Sequence, residues 1–170
     1  MKSLSATCRC GETAIELAGK PIESVICFCE SCRTAARQFE QVPEAPRTVT
    51  AEGGVEYCIY RKDRVTIARG ARHLREHRLK PDSPTRRVVA NCCGSPMFAD
   101  FTPGHWLSVF RCRLPEQAPE PRIGVMAKDR PQGLEPPKDI PAHDTLAPRL
   151  LIKLLGAWAA MGFRRPKITW

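Results

Sequence analysis

The stretch that decides how this chain folds is Cys27-Phe28-Cys29-Glu30-Ser31-Cys32-Arg33, in which three thiols fall within six residues. Cys-x-Cys and Cys-x-x-Cys spacings put sulfur atoms about one tetrahedral edge apart, and thiolates are ligands that Zn²⁺ prefers. We therefore predict a zinc site made by Cys27, Cys29 and Cys32. The spacing leaves two alternatives open: a catalytic site whose fourth position accepts a substrate thiol, or a structural site closed by a fourth protein ligand, such as a histidine.

A second zinc site is predicted from cysteines on either side of this stretch. Cys8 and Cys10 supply one half, and Cys92 and Cys93 supply the other. Adjacent side chains of an extended segment point in opposite directions, so Cys92 and Cys93 share one ion only if the chain bends there. The alternative is a three-thiol site of Cys8, Cys10 and Cys93, with Cys92 in the core.

The remaining composition favours metal binding over disulfide bonds. The chain has 170 residues and nine cysteines, an odd number. Residues 1–7 do not resemble a signal peptide, and no apolar window is long enough to cross a membrane. We therefore expect a cytoplasmic protein whose thiols stay reduced or bind metal. Cys58 and Cys112 lie in β-patterned runs and are predicted to be small buried hydrophobic residues.

Positive charge is concentrated in two parts of the chain. The net charge is +9, and residues 61–90 alone carry ten Lys and Arg against three acidic residues. Residues 146–170 carry five basic residues and no acidic ones. Such density suits an anionic partner, although a solvated and highly charged pair of strands explains it equally well.

The chain divides into three predicted parts. Residues 1–114 contain short β-patterned runs with turns between them and one helix at 29–38, which indicates a mainly β, mostly antiparallel domain. Residues 115–145 are proline-rich and are predicted to be extended. Residues 146–170 are predicted to form an amphipathic helix over 146–161 and a basic tail. We expect the helix to dock on the β domain or on a second subunit; a membrane surface is the alternative. Its apolar face would contain Leu150, Leu151, Leu154, Leu155, Trp158 and Met161.

Four motifs together resemble the glutathione-dependent formaldehyde-activating (GFA) enzyme family. They are Cys8-x-Cys10-Gly11, Gly19-x-Pro21, Cys27-x-Cys29-x-x-Cys32-Arg33 and Cys93-Gly94-x-Pro96. The resemblance implies a zinc-binding β-tent fold of short antiparallel sheets. It also implies a structural zinc on Cys8, Cys10 and Cys93, and a catalytic zinc on Cys27, Cys29 and Cys32 that exchanges a ligand with glutathione.

The chain departs from the family pattern at two places. Ala90 stands where the family usually has the first cysteine of its later pair, and Cys92 instead directly precedes Cys93. Residues 34–37 lack the glycine that usually follows the central cysteines. These departures indicate a divergent member of the kind grouped with domains of unknown function. The structural site is expected to be either rebuilt with Cys92 or lost.

The resemblance implies a carbon–sulfur lyase that acts on a glutathione-type adduct of a small aldehyde and uses one or two Zn²⁺ per chain. Cys27, Cys29 and Cys32 would hold the catalytic ion, and Arg33 is predicted to bind a glutathione carboxylate through paired hydrogen bonds. The alternative is a non-catalytic, zinc-stabilised module that binds nucleic acid or another polyanion through residues 61–90. A homo-oligomer formed through the C-terminal helix is a further expectation.

Overall fold

The structure is a computed structural model that describes residues 3–45 and 47–170. Met1 and Lys2, with which the predicted β domain begins, and Pro46, in a predicted extended connection, lie outside the described residues. The described residues form two β-sheets and two α-helices. The strands are β1 (Ser3–Thr7), β2 (Ala14–Ala18), β3 (Glu23–Cys27), β4 (Val55–Arg61), β5 (Val65–Arg69), β6 (Leu74–His77), β7 (Thr85–Ala90), β8 (Ser95–Phe101), β9 (Trp106–Phe110) and β10 (Ile123–Val125). The helices are α1 (Glu30–Phe39) and α2 (Pro148–Ala159).

The mainly β prediction is confirmed, and the sheets are mostly antiparallel. The smaller sheet has the order β1-β2-β5, and the larger sheet has the order β10-β3-β4-β9-β8-β7-β6. Strand β4 lies inside the larger sheet and is buried on both faces because its successive side chains point in opposite directions. Tyr57 and Ile59 pack into one hydrophobic cluster, while Cys58 and Tyr60 pack into another.

Strand β10 comes from the proline-rich segment and was not expected from the sequence. It pairs in parallel with β3, so that Ile123 lies opposite Val25 and Val125 lies opposite Cys27. The Phe28 amide also donates a hydrogen bond to the Val125 carbonyl at 3.0 Å. The segment therefore supports the strand that leads into the central cysteine stretch.

Helix α2 confirms the predicted C-terminal helix, but only part of its predicted apolar face is buried. Leu150 and Leu154 pack into the core, whereas Leu151 and Leu155 are 49% and 58% exposed. Two polar contacts fix the helix: Lys153 Nζ lies 2.6 Å from the buried carboxylate of Glu23, and the Leu154 carbonyl lies 2.9 Å from His105 Nε2. The expectation that all six apolar residues share one docking face is therefore wrong for these two leucines.

Four of the ten basic residues in the predicted basic segment of residues 61–90 form ion pairs within the described part of the protein. Lys62 and Asp100 form a buried ion pair with a 2.8 Å N–O distance, and Arg86 contacts the second oxygen of Asp100 at 2.8 Å. Arg61 pairs with Asp63 in the same region. Fewer cations are therefore free to meet a polyanion than the sequence suggests. Among the described residues, no helix has the length and apolarity needed to span a membrane.

Candidate metal centre and substrate cavity

The central cysteine stretch brings three sulfur atoms together where β3 meets α1. Cys27 ends β3, Cys29 is the N-cap of α1, and Cys32 lies in the first helical turn. The Cys29 sulfur accepts a hydrogen bond from the Cys32 amide at 3.4 Å. A thiolate is favoured at this position because a helix N-terminus carries partial positive charge. The tight turn from strand to helix therefore creates the cluster.

This cluster fits a zinc ion in both geometry and donor chemistry. The three Sγ atoms all lie within 4.8 Å of one another. Zn–S bonds of about 2.3 Å in a tetrahedron place sulfur atoms about 3.8 Å apart, so only small adjustments are needed. Among the described residues, this metal-ligand group contains no histidine: His77 contacts Gln38 and His105 contacts Leu154. Cys27, Cys29 and Cys32 therefore supply three donors.

The three thiols do not ionise independently because their sulfur atoms are close together. Hydrogen bonds from Cys27 and Cys32 lower the pKa of Cys29 to about 2. The hydrogen bond with Cys29, the contact with Cys32 and burial raise the pKa of Cys27 well above its usual range. Contact with Cys27 lowers the pKa of Cys32, but contact with Cys29 and burial raise it more, to about 11. Three thiolates at this place therefore require a cation between them, such as Zn²⁺.

A second cluster joins the two ends of the β domain. The sulfur atoms of Cys8, Cys10, Cys92 and Cys93 lie within 4.8 Å of one another. The distances are 3.5 Å from Cys8 to Cys10, 3.8 Å from Cys8 to Cys92 and 3.4 Å from Cys10 to Cys92. Four thiolates at these spacings suit a closed, tetrahedral zinc site.

A turn explains how two adjacent cysteines reach the same point. The Cys93 amide donates to the Ala90 carbonyl at 3.2 Å, and Gly94 has a left-handed backbone with φ of 70°. The chain is therefore bent rather than extended, and both sulfur atoms turn towards Cys8 and Cys10. Cys92 is half-buried within the cluster. The structure therefore differs from the alternative in which Cys92 lies in the core.

Tyr57 and Arg87 are two buried polar residues beside the central cluster that no sequence pattern singles out. The Tyr57 hydroxyl makes no hydrogen bond of regular geometry among the described residues, and the Cys32 thiol is a polar neighbour. Burial raises the pKa of Tyr57 well above its usual range, and the neighbouring Cys32 and Cys27 thiols raise it further. The hydroxyl thus stays protonated and able to donate a hydrogen bond.

Arg87 places a buried positive charge behind the same cluster. Its side chain is 1% exposed, and its Nη2 donates to the Ser31 carbonyl at 3.0 Å. Its Nε has no partner, and among the described residues it takes part in none of the ion pairs. A buried cation is costly without compensation, and the Cys32 thiolate is a nearby group that can provide it.

An apolar cavity of about 170 Å³ adjoins the central cluster. Cys27, Cys32 and Tyr57 belong to its wall together with residues of β3, β4, β8, β9, β10 and α2. A molecule that reaches these cysteines can therefore place part of its surface in an apolar environment.

The other predicted residues have mixed outcomes. Arg33 donates from Nε to the Phe28 carbonyl at 3.0 Å and from Nη2 to the Asp129 carbonyl at 2.6 Å, so it helps to hold the chain around the cluster.

Cys58 is buried as predicted, but Cys112 is exposed. The prediction fails for Cys112 because this residue lies in the short 3₁₀ turn after β9 and not in the strand.

The fold and its two cysteine clusters define a mainly β protein that can hold two zinc ions. A family model described as "Glutathione-dependent formaldehyde-activating enzyme" matches residues 3–129, and the chain belongs to this family. Family membership supports a glutathione-dependent function related to an aldehyde. A crystal structure of a Rhodobacter sphaeroides protein is similar at 15% identity, over 82% of this chain and 99% of that chain, with a TM-score of 0.47. No curated protein matches the chain.

Proposed function

We propose that this protein is a zinc-dependent enzyme of the carbon–sulfur lyase type, which forms and cleaves the adduct between a thiol such as glutathione and an aldehyde. The observation that carries the proposal is the three-thiol cluster of Cys27, Cys29 and Cys32 beside a cavity. A zinc ion bound there would accept the substrate thiol as a further ligand and lower its pKa, which makes it the reactive thiolate.

The proposed reaction needs no further reactant. In the forward direction the thiol sulfur forms a bond with the carbonyl carbon, and the electron pair of the C=O π bond moves to oxygen. The oxygen takes up the proton that the thiol releases, which gives an S-hydroxyalkyl adduct. In the reverse direction the C–S bond breaks and the aldehyde and thiol return.

The chain's own residues would support this charge movement. The unpartnered Tyr57 hydroxyl lies beside Cys32 and is proposed to donate a hydrogen bond to the oxygen that becomes negative. The buried Arg87 guanidinium would offset the negative charge of the thiolates. Arg33 keeps its Nη1 outside the two hydrogen bonds that hold its side chain, and we propose that it contacts a glutathione carboxylate.

The test measures interconversion of glutathione, formaldehyde and their adduct by exchange NMR on the zinc-loaded protein. Cys29→Ser should reduce the catalysed rate to the uncatalysed level and remove one zinc. Cys112→Ser is the matched control, because Cys112 is an exposed thiol outside both clusters. Unchanged turnover in Cys29→Ser would overturn the proposal.

A zinc-stabilised module that binds nucleic acid or another polyanion is the second candidate function. A separate surface groove of about 750 Å³ is lined by Lys20, Arg61, Arg64 and Lys153, which favours it. Pairing of Arg61 with Asp63 and of Lys153 with Glu23 weakens it. This function predicts binding to a short DNA duplex that weakens steeply with salt. Affinity that does not change with salt would remove it.

The proposed location is a reducing compartment such as the cytoplasm. All nine cysteines are free thiols in the structure. Both clusters need their cysteines as thiolates to bind zinc, and an oxidising compartment would favour disulfides instead.

A further inference from the structure

The cavity beside the central cluster is built mainly from apolar side chains of several different elements. Its volume is about 170 Å³. Cavities of about 150 Å³ with apolar walls hold a molecule as large as benzene. Formaldehyde has a single carbon and would leave most of this space unfilled. The apolar wall includes Val25, Ile59, Ala99, Val125, Leu150 and Leu154.

Part of this wall comes from outside the region that the family model matches. The match ends at residue 129, whereas Leu146, Leu150 and Leu154 line the cavity from the C-terminal segment. Leu150 and Leu154 are buried, but Leu146 is 42% exposed. Phe101 of β8, another wall residue, is 38% exposed, so the cavity meets solvent near Leu146 and Phe101, while Leu150 and Leu154 of α2 cover part of it.

The cavity is also continuous with the reacting groups of the proposed function. Cys27 and Cys32 belong to its wall, as does Tyr57, whose buried hydroxyl has no partner among the described residues. An aldehyde whose oxygen meets this hydroxyl would have its carbon chain among apolar side chains. Burial of each methylene contributes about 0.8 kcal/mol, or about fourfold in an equilibrium or rate constant.

We propose that this cavity binds the carbon chain of the aldehyde, so that the enzyme acts on adducts of aldehydes with an apolar chain or ring of about five or six carbons, and that α2 sets this chain length. The inference rests on the proposed function for the identity of the reacting group. It adds a substrate class and gives the C-terminal helix a role in specificity.

The first test is binding of the unreactive probe 1-pentanol to the zinc-loaded protein, followed by NMR titration. Wild type should bind 1-pentanol saturably. Ala99→Leu adds three carbons to the cavity wall and should weaken binding at least about tenfold. Ala159→Leu adds the same carbons at an exposed position of α2 and should bind as wild type does. Equal binding by Ala99→Leu and wild type would overturn the inference.

The second test compares rate enhancements over the uncatalysed reaction with glutathione and a series of aldehydes. The enhancement in kcat/KM should rise about fourfold per methylene from propanal to pentanal. Leu146→Trp should reduce the enhancement for pentanal at least about tenfold more than it reduces the enhancement for formaldehyde. Because Leu146 is half-exposed, this variant keeps the fold even where Ala99→Leu does not. An enhancement that is greatest for formaldehyde would overturn the inference.

The two tests separate this inference from the proposed function. If no aldehyde reacts faster than the uncatalysed control while 1-pentanol binding still depends on Ala99, the proposed function fails and the cavity remains an apolar binding site. If formaldehyde alone is turned over and 1-pentanol does not bind, the proposed function stands and the inference about chain length fails.

Discussion

Replacing Tyr57 by phenylalanine tests whether the Tyr57 hydroxyl serves catalysis at a cost in stability. The Tyr57 hydroxyl is buried, adjoins the Cys27–Cys32 cluster and has no hydrogen-bond partner among the described residues. An unpaired buried polar group costs about 1–3 kcal/mol of stability. Tyr57→Phe removes this group while keeping the ring, so the free energy of unfolding should rise by about 1–2 kcal/mol. For a chain of this size, that corresponds to an increase in Tm of about 2–6 °C.

The same substitution should impair catalysis. Removal of one hydrogen-bond donor to a developing oxyanion typically lowers kcat about 10²–10³-fold. We therefore expect Tyr57→Phe to be more stable than wild type in calorimetry and much slower in the glutathione–aldehyde exchange assay. Zinc content should not change, because the three cysteine ligands remain.

Tyr60 provides a matched control on the same strand. Its hydroxyl is also buried without a partner among the described residues, but it lies in the other hydrophobic cluster. Tyr60→Phe should therefore stabilise the protein by a similar amount and leave kcat unchanged. The reasoning about Tyr57 is refuted if Tyr57→Phe retains wild-type kcat, or if both variants lose activity equally.

Three further predictions follow from the structure. Asp100→Asn leaves the buried Lys62 ammonium without its counter-charge and should cost about 3–5 kcal/mol, which calorimetry would register as a fall in Tm of about 10 °C; an unchanged Tm would contradict it. Cys92→Ala should lower Tm and release one zinc to a chelator, whereas Cys112→Ala should do neither; equal behaviour of the two variants would count against a four-thiolate site. Ile152 is 71% exposed on α2, and if this face joins two chains, Ile152→Glu should shift sedimentation from dimer to monomer; a wild-type monomer would remove that prediction.

The cysteine clusters could be predicted from the sequence because cysteines that bind one metal ion often lie a few residues apart. Cys27, Cys29 and Cys32 are held together by one strand end and one helix start, so local geometry suffices to bring their sulfur atoms together. The Cys92–Cys93 pair was harder, since the outcome depends on a turn at Gly94 that adjacent cysteines do not reveal.

Features that depend on contacts between residues distant in sequence could not be predicted from local spacing. Strand β10 has three residues and pairs with β3 about a hundred positions earlier, so it has no periodicity of its own. Helical periodicity located the apolar side of α2, but it does not determine which residues on that side are buried against the core. Leu150 and Leu154 dock while Leu151 and Leu155 stay exposed.

The cavity and its polar neighbours belong to the same class of long-range features. Tyr57 is one of several apolar or aromatic residues in β4, and Arg87 is one of many arginines in a basic run. Only the folded arrangement brings both beside Cys32. Sequence spacing can therefore identify the metal ligands. The groups that would act on the substrate can be identified only from their positions in the folded structure.

Metal content per chain tests the central claim most directly. Wild type, Cys8→Ser and Cys32→Ser would be expressed with zinc, purified without chelators and measured by mass spectrometry of the metal and by amino-acid analysis. The two separate clusters predict two zinc ions in wild type and one in each variant. A single zinc in wild type, or a variant that keeps the wild-type content, would contradict the account.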